Sequence, residues 1–461
     1  MTAVQPTQLQ NMDVSELPRL VTEVPGPRSR ALVDREREHS SPGLSALSTL
    51  SGVAVNQGFG ALVEDVDGNI FIDFSSGTVV TVTGHAHPSV VRAIKAEIDK
   101  FIHIYDYTSA SRADFLEYLV SVLPAGLDKV QMYTSGAETV EAGLRLARSH
   151  TGRSEFISLY RAFHGKTLGA LSLMGGGYKK GFGPLAPGFY QTPNAYCYRC
   201  PLMLEPTSCG AKCADFIENV FEQETTGNVA AVVAEAIQGA GGAIVPPPEY
   251  FTKIQEFCRR NDILLFIDEV LTSAGRTGKM WASEHYDIEP DIMTMGKGIG
   301  SGFPLGVVAS SERVMSSLPW AQHNGGTSTY GGSPVSAAAG LATLITIVNE
   351  NLIENAAVVG AHIKGRLEEM QTRHLSMGDV RGRGMLMAVE FVTDRQTKER
   401  ISQEAAEYLY RELVTNGILV ASAAPIMRIT PPLVMSQELA DRALDIFDAA
   451  VGRMENQYRI G

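Results

Sequence analysis

From about residue 130 the chain alternates between two hydrophobic periods. The runs VQMYTS (130–135), EFISLY (155–160), AAVVAEAI (230–237), ILLFID (263–268), IMTMG (292–296) and GVVAS (306–310) are short and apolar, as buried strands are. Between them, ETVEAGLRLARSH (138–150) and YFTKIQEFCRRN (250–261) carry apolar residues at helical spacing; Val140, Leu144 and Ala147 fall on one helix face. Strands alternating with helices predict an α/β domain with a mostly parallel sheet covered on both faces.

The pattern changes after residue 334. A long Ala-rich helix is expected in PVSAAAGLATLITIVNENL, a second in GAHIKGRLEEMQTRH, and strands and a further helix beyond RGRGMLMAVEFV. This predicts a second, smaller α+β domain. At the other end, residues 1–45 are polar and proline-containing and read as a lead-in arm. VEDVDGNIFIDF (63–74) reads as a hairpin turning at Asp67-Gly68. The expected division is an N-terminal arm with part of the small domain over 1–75, a large domain over 76–340, and the rest of the small domain over 341–461.

Composition narrows the class. With 461 residues, 44% hydrophobic and 20% charged, the chain can bury a large core and exceeds one ordinary domain. A net charge of −12 argues against nucleic acid or an anionic membrane surface as partner. No apolar run approaches the ~18 residues of a membrane span, and the first residues lack an apolar signal region. The expected location is cytoplasmic.

Four of the five cysteines cluster as Cys197, Cys200, Cys209 and Cys213. Their density resembles metal-ligand spacing, but the pattern departs from standard fingers and a chain of this size needs no staple. No metal is assigned to the site.

In open α/β sheets, ligands sit beyond the carboxyl ends of the strands. There the sequence places Ser135-Gly136-Ala137-Glu138, Phe163-His164-Gly165, Glu235, Asp268 and Lys297. Lys297, between glycines just past a buried strand, has the setting of a nucleophilic amine. Ser135 and Glu138 have capping-box spacing at the start of a helix, where free N–H groups and Gly136 suit a phosphate. An ordinary capped helix would carry the same residues. Asp268 needs a cationic or hydrogen-bonding partner, which a pyridinium N–H supplies, and Phe163 offers a flat face. Together these residues describe a site for pyridoxal phosphate. Rival signatures, GxxxxGK, HExxH and GxSxG, are missing.

With DVDGNIFIDFSSG, GHAHPSVVRAI, YTSGAETVEAGLRLAR, YRAFHGKTLGALS, FIDEVLTSAGRTG, TMGKGIGSGFPLG, TSTYGGSPVSAAA and MRITPPL in order, the chain resembles the class III (ω-amino acid type) aminotransferases of the fold-type-I pyridoxal phosphate enzymes. The resemblance runs from about residue 20 to about residue 450. It implies a large domain and a small domain built from both termini. It implies that Lys297 is the Schiff-base lysine and Asp268 the partner of the pyridine nitrogen. Ser135, Gly136, Ala137 and His164 would belong to the cofactor site, with Phe163 and Val270 on the two faces of the ring. Thr329 would reach the phosphate of a neighbouring subunit, implying a homodimer with interfacial sites, or a tetramer built from it. Arg428 would hold the carboxylate of a 2-oxo acid, and Glu235 would pair with it otherwise.

The implied activity is transfer of an amino group from an ω-amino acid, amine or amino-bearing metabolite to 2-oxoglutarate or pyruvate. Racemase, epimerase or decarboxylase chemistry on the same lysine is the alternative, with an amino-sugar enzyme beside it and a non-catalytic cofactor-binding protein as the remote reading. One departure bears on substrate. Leu271 stands where relatives acting on 4-aminobutyrate, ornithine or acetylornithine commonly have glutamine.

Overall fold

Asp67-Gly68 forms the expected turn, with Gly68 at φ +94°. It joins β2 (Leu62–Asp65) to β3 (Ile70–Asp73) as an antiparallel pair, and β1 (Val55–Phe59) pairs antiparallel with β2 on its other side. The protein is described by a computed structural model over residues 9–44 and 46–460; the parts of the expected arm at 1–8 and 45 lie outside the described residues.

The remainder of that arm is not featureless, for Pro27–Arg37 is a helix. Gly26 at its N-cap has no side chain to cap with. Instead Asp67 Oδ1 accepts the Arg28 N–H at 2.9 Å and Oδ2 the Ser29 N–H at 2.8 Å. A Cβ on Gly26 would lie 2.3 Å from Asp67 Cγ, so glycine is what lets this remote cap approach.

The next seven strands form one sheet: β4 (Lys129–Tyr133), β5 (Glu155–Leu159), β6 (Phe189–Thr192), β7 (Val229–Ala234), β8 (Leu264–Glu269), β9 (Ile292–Met295) and β10 (Gly306–Ser310). Their order is β4-β10-β9-β8-β7-β5-β6, with β10 alone antiparallel to its neighbours. β5, β7, β8, β9 and β10 are buried throughout. The six runs read from the sequence all supply strands; β6 was not among them.

Gly136–Thr151 is the expected helix, and Val140, Leu144 and Ala147 are buried. It lies close over the sheet because Gly143 has no side chain: a Cβ there would be 2.5 Å from the Phe266 ring of β8. That contact brings the helix N-terminus to the rim where β8 ends.

Contacts divide the chain into two compact units. One spans Pro88–Glu350, the other the residues up to His87 together with those from Asn351 onward. The divisions expected at 75/76 and 340/341 thus fall at 87/88 and 350/351. Helix Pro334–Asn349 packs on helices Pro88–Ile98 and Ala110–Val122 and stays whole within its unit. It ends at Asn349, and the next helix, Leu352–Arg373, begins eight residues earlier than the expected Gly360. Asn351, at φ +53°, makes the break.

In the other unit, β11 (Met377–Arg383), β12 (Leu386–Phe391) and β14 (Ile426–Ile429) form an antiparallel sheet. β13 (Ile418–Leu419) joins β3 in parallel.

Candidate active site

Five strand ends converge. Asp268, the penultimate residue of β8, is 4% exposed. Its Oδ1 accepts the Val270 N–H at 2.9 Å and the Thr294 hydroxyl at 3.3 Å; its Oδ2 lies 2.7 Å from His164 Nδ1. Thr294 is the residue paired with Asp268 across β8 and β9. Burial opposes a charge on His164, but the hydrogen bond and charge of Asp268, with Glu235 behind them, outweigh it and raise its pKa. His164 on one side and two donors on the other therefore hold the carboxylate in place.

Around this pair the backbone is cut close. A Cβ on Gly136 would meet Val270 Cγ1 at 2.6 Å, one on Gly296 the same atom at 3.2 Å, and one on Gly165 the Ala137 Cβ at 2.6 Å. Val270 thus sits between Gly136, which opens the helix, and Gly296, which precedes Lys297. Ala137 lies against Gly165, next to His164. Lys297 is half-buried at φ +43°, a conformation few L-residues take.

Ser135 is exposed, and its hydroxyl accepts the Glu138 N–H at 3.3 Å. The Glu138 carboxylate accepts the Thr134 N–H and hydroxyl at 2.9 and 2.6 Å and the Ser328 hydroxyl at 2.5 Å. The Gly136 and Ala137 N–H groups, first in the helix, have no partner within it. Ser328 ties down the loop that carries Thr329, and Tyr133 Oη, donating to the Gly326 carbonyl at 2.6 Å, does the same. Thr329 itself is exposed.

Glu235 is 4% exposed just past β7. Its oxygens accept the Phe163 N–H at 3.0 Å and the Gly239 N–H at 2.9 Å. Burial pushes its pKa up to about 7, with His164 pulling it down and Asp268 pushing it further up. Phe163 is half-buried, its ring edge-to-face with Tyr178 at 5.2 Å. Leu271 is buried, and a Cβ on Gly239 would lie 2.5 Å from its Cδ1. Gln238 and Asn194, both 2% exposed, pair at 2.6 Å and fix the same loop, with Gln238 Nε2 donating to the Tyr160 carbonyl at 2.9 Å.

Thr294, Asn194 and Gln238 are site residues that the sequence pattern does not mark. Their one signal there is a polar residue inside or beside an apolar run. Arg428 belongs to the other unit, on β14, where its N–H donates to Ser422 Oγ at 3.0 Å. Of the cysteines, Cys213 is buried and Cys197, Cys200 and Cys209 half-buried, none of them in a disulfide. Among the described residues no group of three or more His, Cys, Asp or Glu is placed to hold a metal ion.

The pocket fits pyridoxal phosphate on its own chemistry. Asp268 Oδ2 has one protein partner and room for a second donor, which a ring N–H provides. The glycines at 136, 165 and 296 leave space that any side chain would fill, the helix start offers N–H groups to a phosphate, and Lys297 offers the amine.

A seven-stranded sheet with one antiparallel strand and such a rim defines a fold-type-I pyridoxal-phosphate-dependent enzyme. The chain belongs to the class III aminotransferases: the family pattern "Aminotransferase class-III" matches residues 46–451. It is 37% identical over 442 residues to the 4-aminobutyrate aminotransferase of Mycobacterium tuberculosis, covering 93% of this chain and 96% of that one. It is 35% identical over 449 residues to the alanine/serine racemase of Pyrococcus horikoshii, covering 95% and 93%. Among solved structures it resembles an amine transaminase from an uncultivated Pseudomonas species in its pyridoxal-phosphate-bound form. The TM-score is 0.85 at 29% identity, covering 90% of this chain and 98% of that one. The protein is a pyridoxal-phosphate-dependent aminotransferase.

Proposed function

We propose that this aminotransferase takes the amino group from an ω-amino acid, an amine or an amino-bearing metabolite and passes it to 2-oxoglutarate or pyruvate at the rim built around Asp268 and Lys297. The buried Asp268 carboxylate, held by His164, Thr294 and the Val270 N–H with one acceptor position left open, carries the reading. Bound pyridoxal phosphate supplies a carbonyl for the amine and an electron sink for the pair left when a proton departs. Asp268 holds a proton at the ring nitrogen, and His164 holds the Asp268 carboxylate in place. Gly136 and Ala137 bind the phosphate through their N–H groups, with Ser135 fixing the turn. Phe163 and Val270 orient the ring from its two faces. Lys297 Nζ would take the proton from the amine-bearing carbon of the substrate as general base and, as acid, hand it to the cofactor carbon that receives the amine. Arg428 binds the acceptor's carboxylate. Glu235, already engaged by two N–H groups, neutralises that arginine when no carboxylate is present.

The working form in this reading is a homodimer, in which Thr329 completes the neighbouring site. Phe101, Ile102 and Tyr107 are exposed, and the His103 ring lies tilted against Tyr330, next to Thr329, with centroids 5.2 Å apart. Such an apolar strip beside an exposed, anchored threonine suits burial against a second copy. Among the described residues no single helix is long and apolar enough to cross a membrane. That and the charge support a cytoplasmic location without nucleic-acid or membrane partners.

Racemisation is the second reading. It is favoured by the likeness to the alanine/serine racemase. Borohydride reduction of the holoenzyme with peptide mass mapping tests the site. Lys297 should carry the cofactor mass; an adduct on any other lysine contradicts the assignment.

A further inference from the structure

Four consecutive residues, Ser76, Gly77, Thr78 and Val79, have φ of +46°, +58°, +66° and +66°. This is a left-handed helical turn, and three of its residues are not glycine. L-residues avoid such a run unless the surroundings fix it. The surroundings here are a buried polar chain. Asp73, 1% exposed, accepts the Ser75 and Ser76 N–H groups on Oδ1 at 2.7 and 3.1 Å, while its Oδ2 lies 2.8 Å from His85 Nε2. Ser75 Oγ accepts the Gly77 N–H at 3.2 Å. On the far side stands Thr430, fully buried like Ser76. Its N–H donates to the Phe74 carbonyl at 2.8 Å and its hydroxyl to the Ser75 carbonyl at 3.2 Å. The Ser76 hydroxyl returns a hydrogen bond to the Thr430 carbonyl.

Thr430 is two residues from Arg428 on the same extended segment. Thr430 directly follows β14, and its backbone and hydroxyl meet Phe74–Ser76. The left-handed turn is therefore bolted to the strand that presents Arg428, through two hydroxyls with almost no exposure to water.

We propose that Ser76 and Thr430 are positioning residues for acceptor recognition: their buried pair locks the left-handed turn to β14 and so fixes Arg428 where it receives the carboxylate of the 2-oxo acid. The inference rests on the reading of Arg428 as acceptor anchor. Loosening the pair should weaken carboxylate recognition and spare the chemistry at Lys297.

The test uses holoenzyme loaded with pyridoxamine phosphate and mixed with either pyruvate or propanal, small carbonyls with and without a carboxylate. For Ser76→Ala, KM for pyruvate should rise about five- to tenfold, the size of one lost buried hydrogen bond. The limiting rate with pyruvate and the whole reaction with propanal should stay within about twofold, on the same reasoning that the chemistry is untouched. Calorimetric titration with succinate, which has carboxylates and no reacting carbonyl, should show a parallel loss of affinity. Thr430→Val should act like Ser76→Ala, and Thr430→Ser, which keeps the hydroxyl, should restore wild-type values. If Ser76→Ala yields no folded protein, the Thr430→Val and Thr430→Ser comparison decides.

Equal losses with pyruvate and propanal would reduce the pair to general stability and overturn the inference. If Arg428→Gln raises KM for pyruvate while Ser76→Ala and Thr430→Val do not, the inference alone falls. If Arg428→Gln changes nothing, the acceptor anchor is misassigned and the inference falls with it.

Discussion

His164 Nδ1 stands 2.7 Å from Asp268 Oδ2, and both side chains are almost wholly buried. A buried carboxylate at a strand end is costly unless paired, and this histidine is the partner the fold provides. His164→Ala leaves Asp268 with only the Val270 N–H and the Thr294 hydroxyl. Denaturant unfolding of the cofactor-free protein at pH 6 should then show a loss of about 3 kcal/mol, the usual cost of orphaning one member of a buried ion pair. A loss under about 1 kcal/mol, the range of an exposed pair, would mean that the two are not paired in solution.

Glu235 and His164 together set a pH dependence. Glu235 titrates near 7 in the folded chain because it is buried, against about 4.3 unfolded. Between those values the folded state holds more protons, so stability falls as pH rises through that window. His164 is raised above its unfolded value of about 6.5, so its contribution is complete below that pH and is lost as pH rises through its folded pKa. Both act in one direction. Melting temperature should fall from pH 5 to pH 8, and Glu235→Gln should flatten the lower part of that slope. Parallel curves for the two proteins would refute the assignment to Glu235.

Gly143 lets the phosphate-side helix approach the sheet. A Cβ would meet the Phe266 ring at 2.5 Å, so Gly143→Val should cost about 1–3 kcal/mol by overpacking. Because the same helix carries Gly136 and Ala137, the residues proposed to bind the phosphate, the variant should also bind pyridoxal phosphate more weakly. Thermal unfolding with a cofactor titration reads both effects, and unchanged cofactor affinity would separate the packing from the site.

Leu271→Gln places an amide against Gly239 in a position only 8% exposed. An unpaired buried amide costs about 1–3 kcal/mol in proteins. The cofactor-free variant should therefore be less stable than wild type. The family resemblance sets this side chain toward the ring hydroxyl, so added pyridoxal phosphate should recover most of the difference. Equal deficits with and without cofactor would place position 271 away from the ring.

Much of the site was legible because strand ends in an open α/β sheet are where ligands bind. Ser135, His164, Glu235, Asp268 and Lys297 each lie at the end of an apolar run or a few residues past it. The missing pieces share a cause: they depend on partners distant in sequence. Helix Pro27–Arg37 is capped by Asp67, 39 and 38 positions from the N–H groups it binds, and Pro27 at its first position is the one local start signal. β6 has only four residues, three of them half-buried, and no apolar run announces it. Thr294 gains its meaning only when β9 pairs with β8. The polar chain from Asp73 through Ser76 to Thr430 joins residues more than 350 positions apart. Arg428 and Thr329 came from the family resemblance alone, since nothing in their local pattern distinguishes them from other surface-adjacent polar residues.

The most direct measurement of the central claim is the spectrum of the wild-type holoenzyme mixed with single amine donors and no 2-oxo acid. Amines without a carboxylate, 4-aminobutyrate and L-alanine make a first panel. An aminotransferase must keep the amino group at this stage. The account predicts that at least one donor converts the visible absorbance of the Lys297-bound cofactor to that of pyridoxamine phosphate, and that adding pyruvate or 2-oxoglutarate restores it. Lys297→Ala should show neither the initial band nor the conversion. Persistence of the band with every donor, while L-alanine loses its stereochemistry, would contradict transamination and establish racemisation in its place.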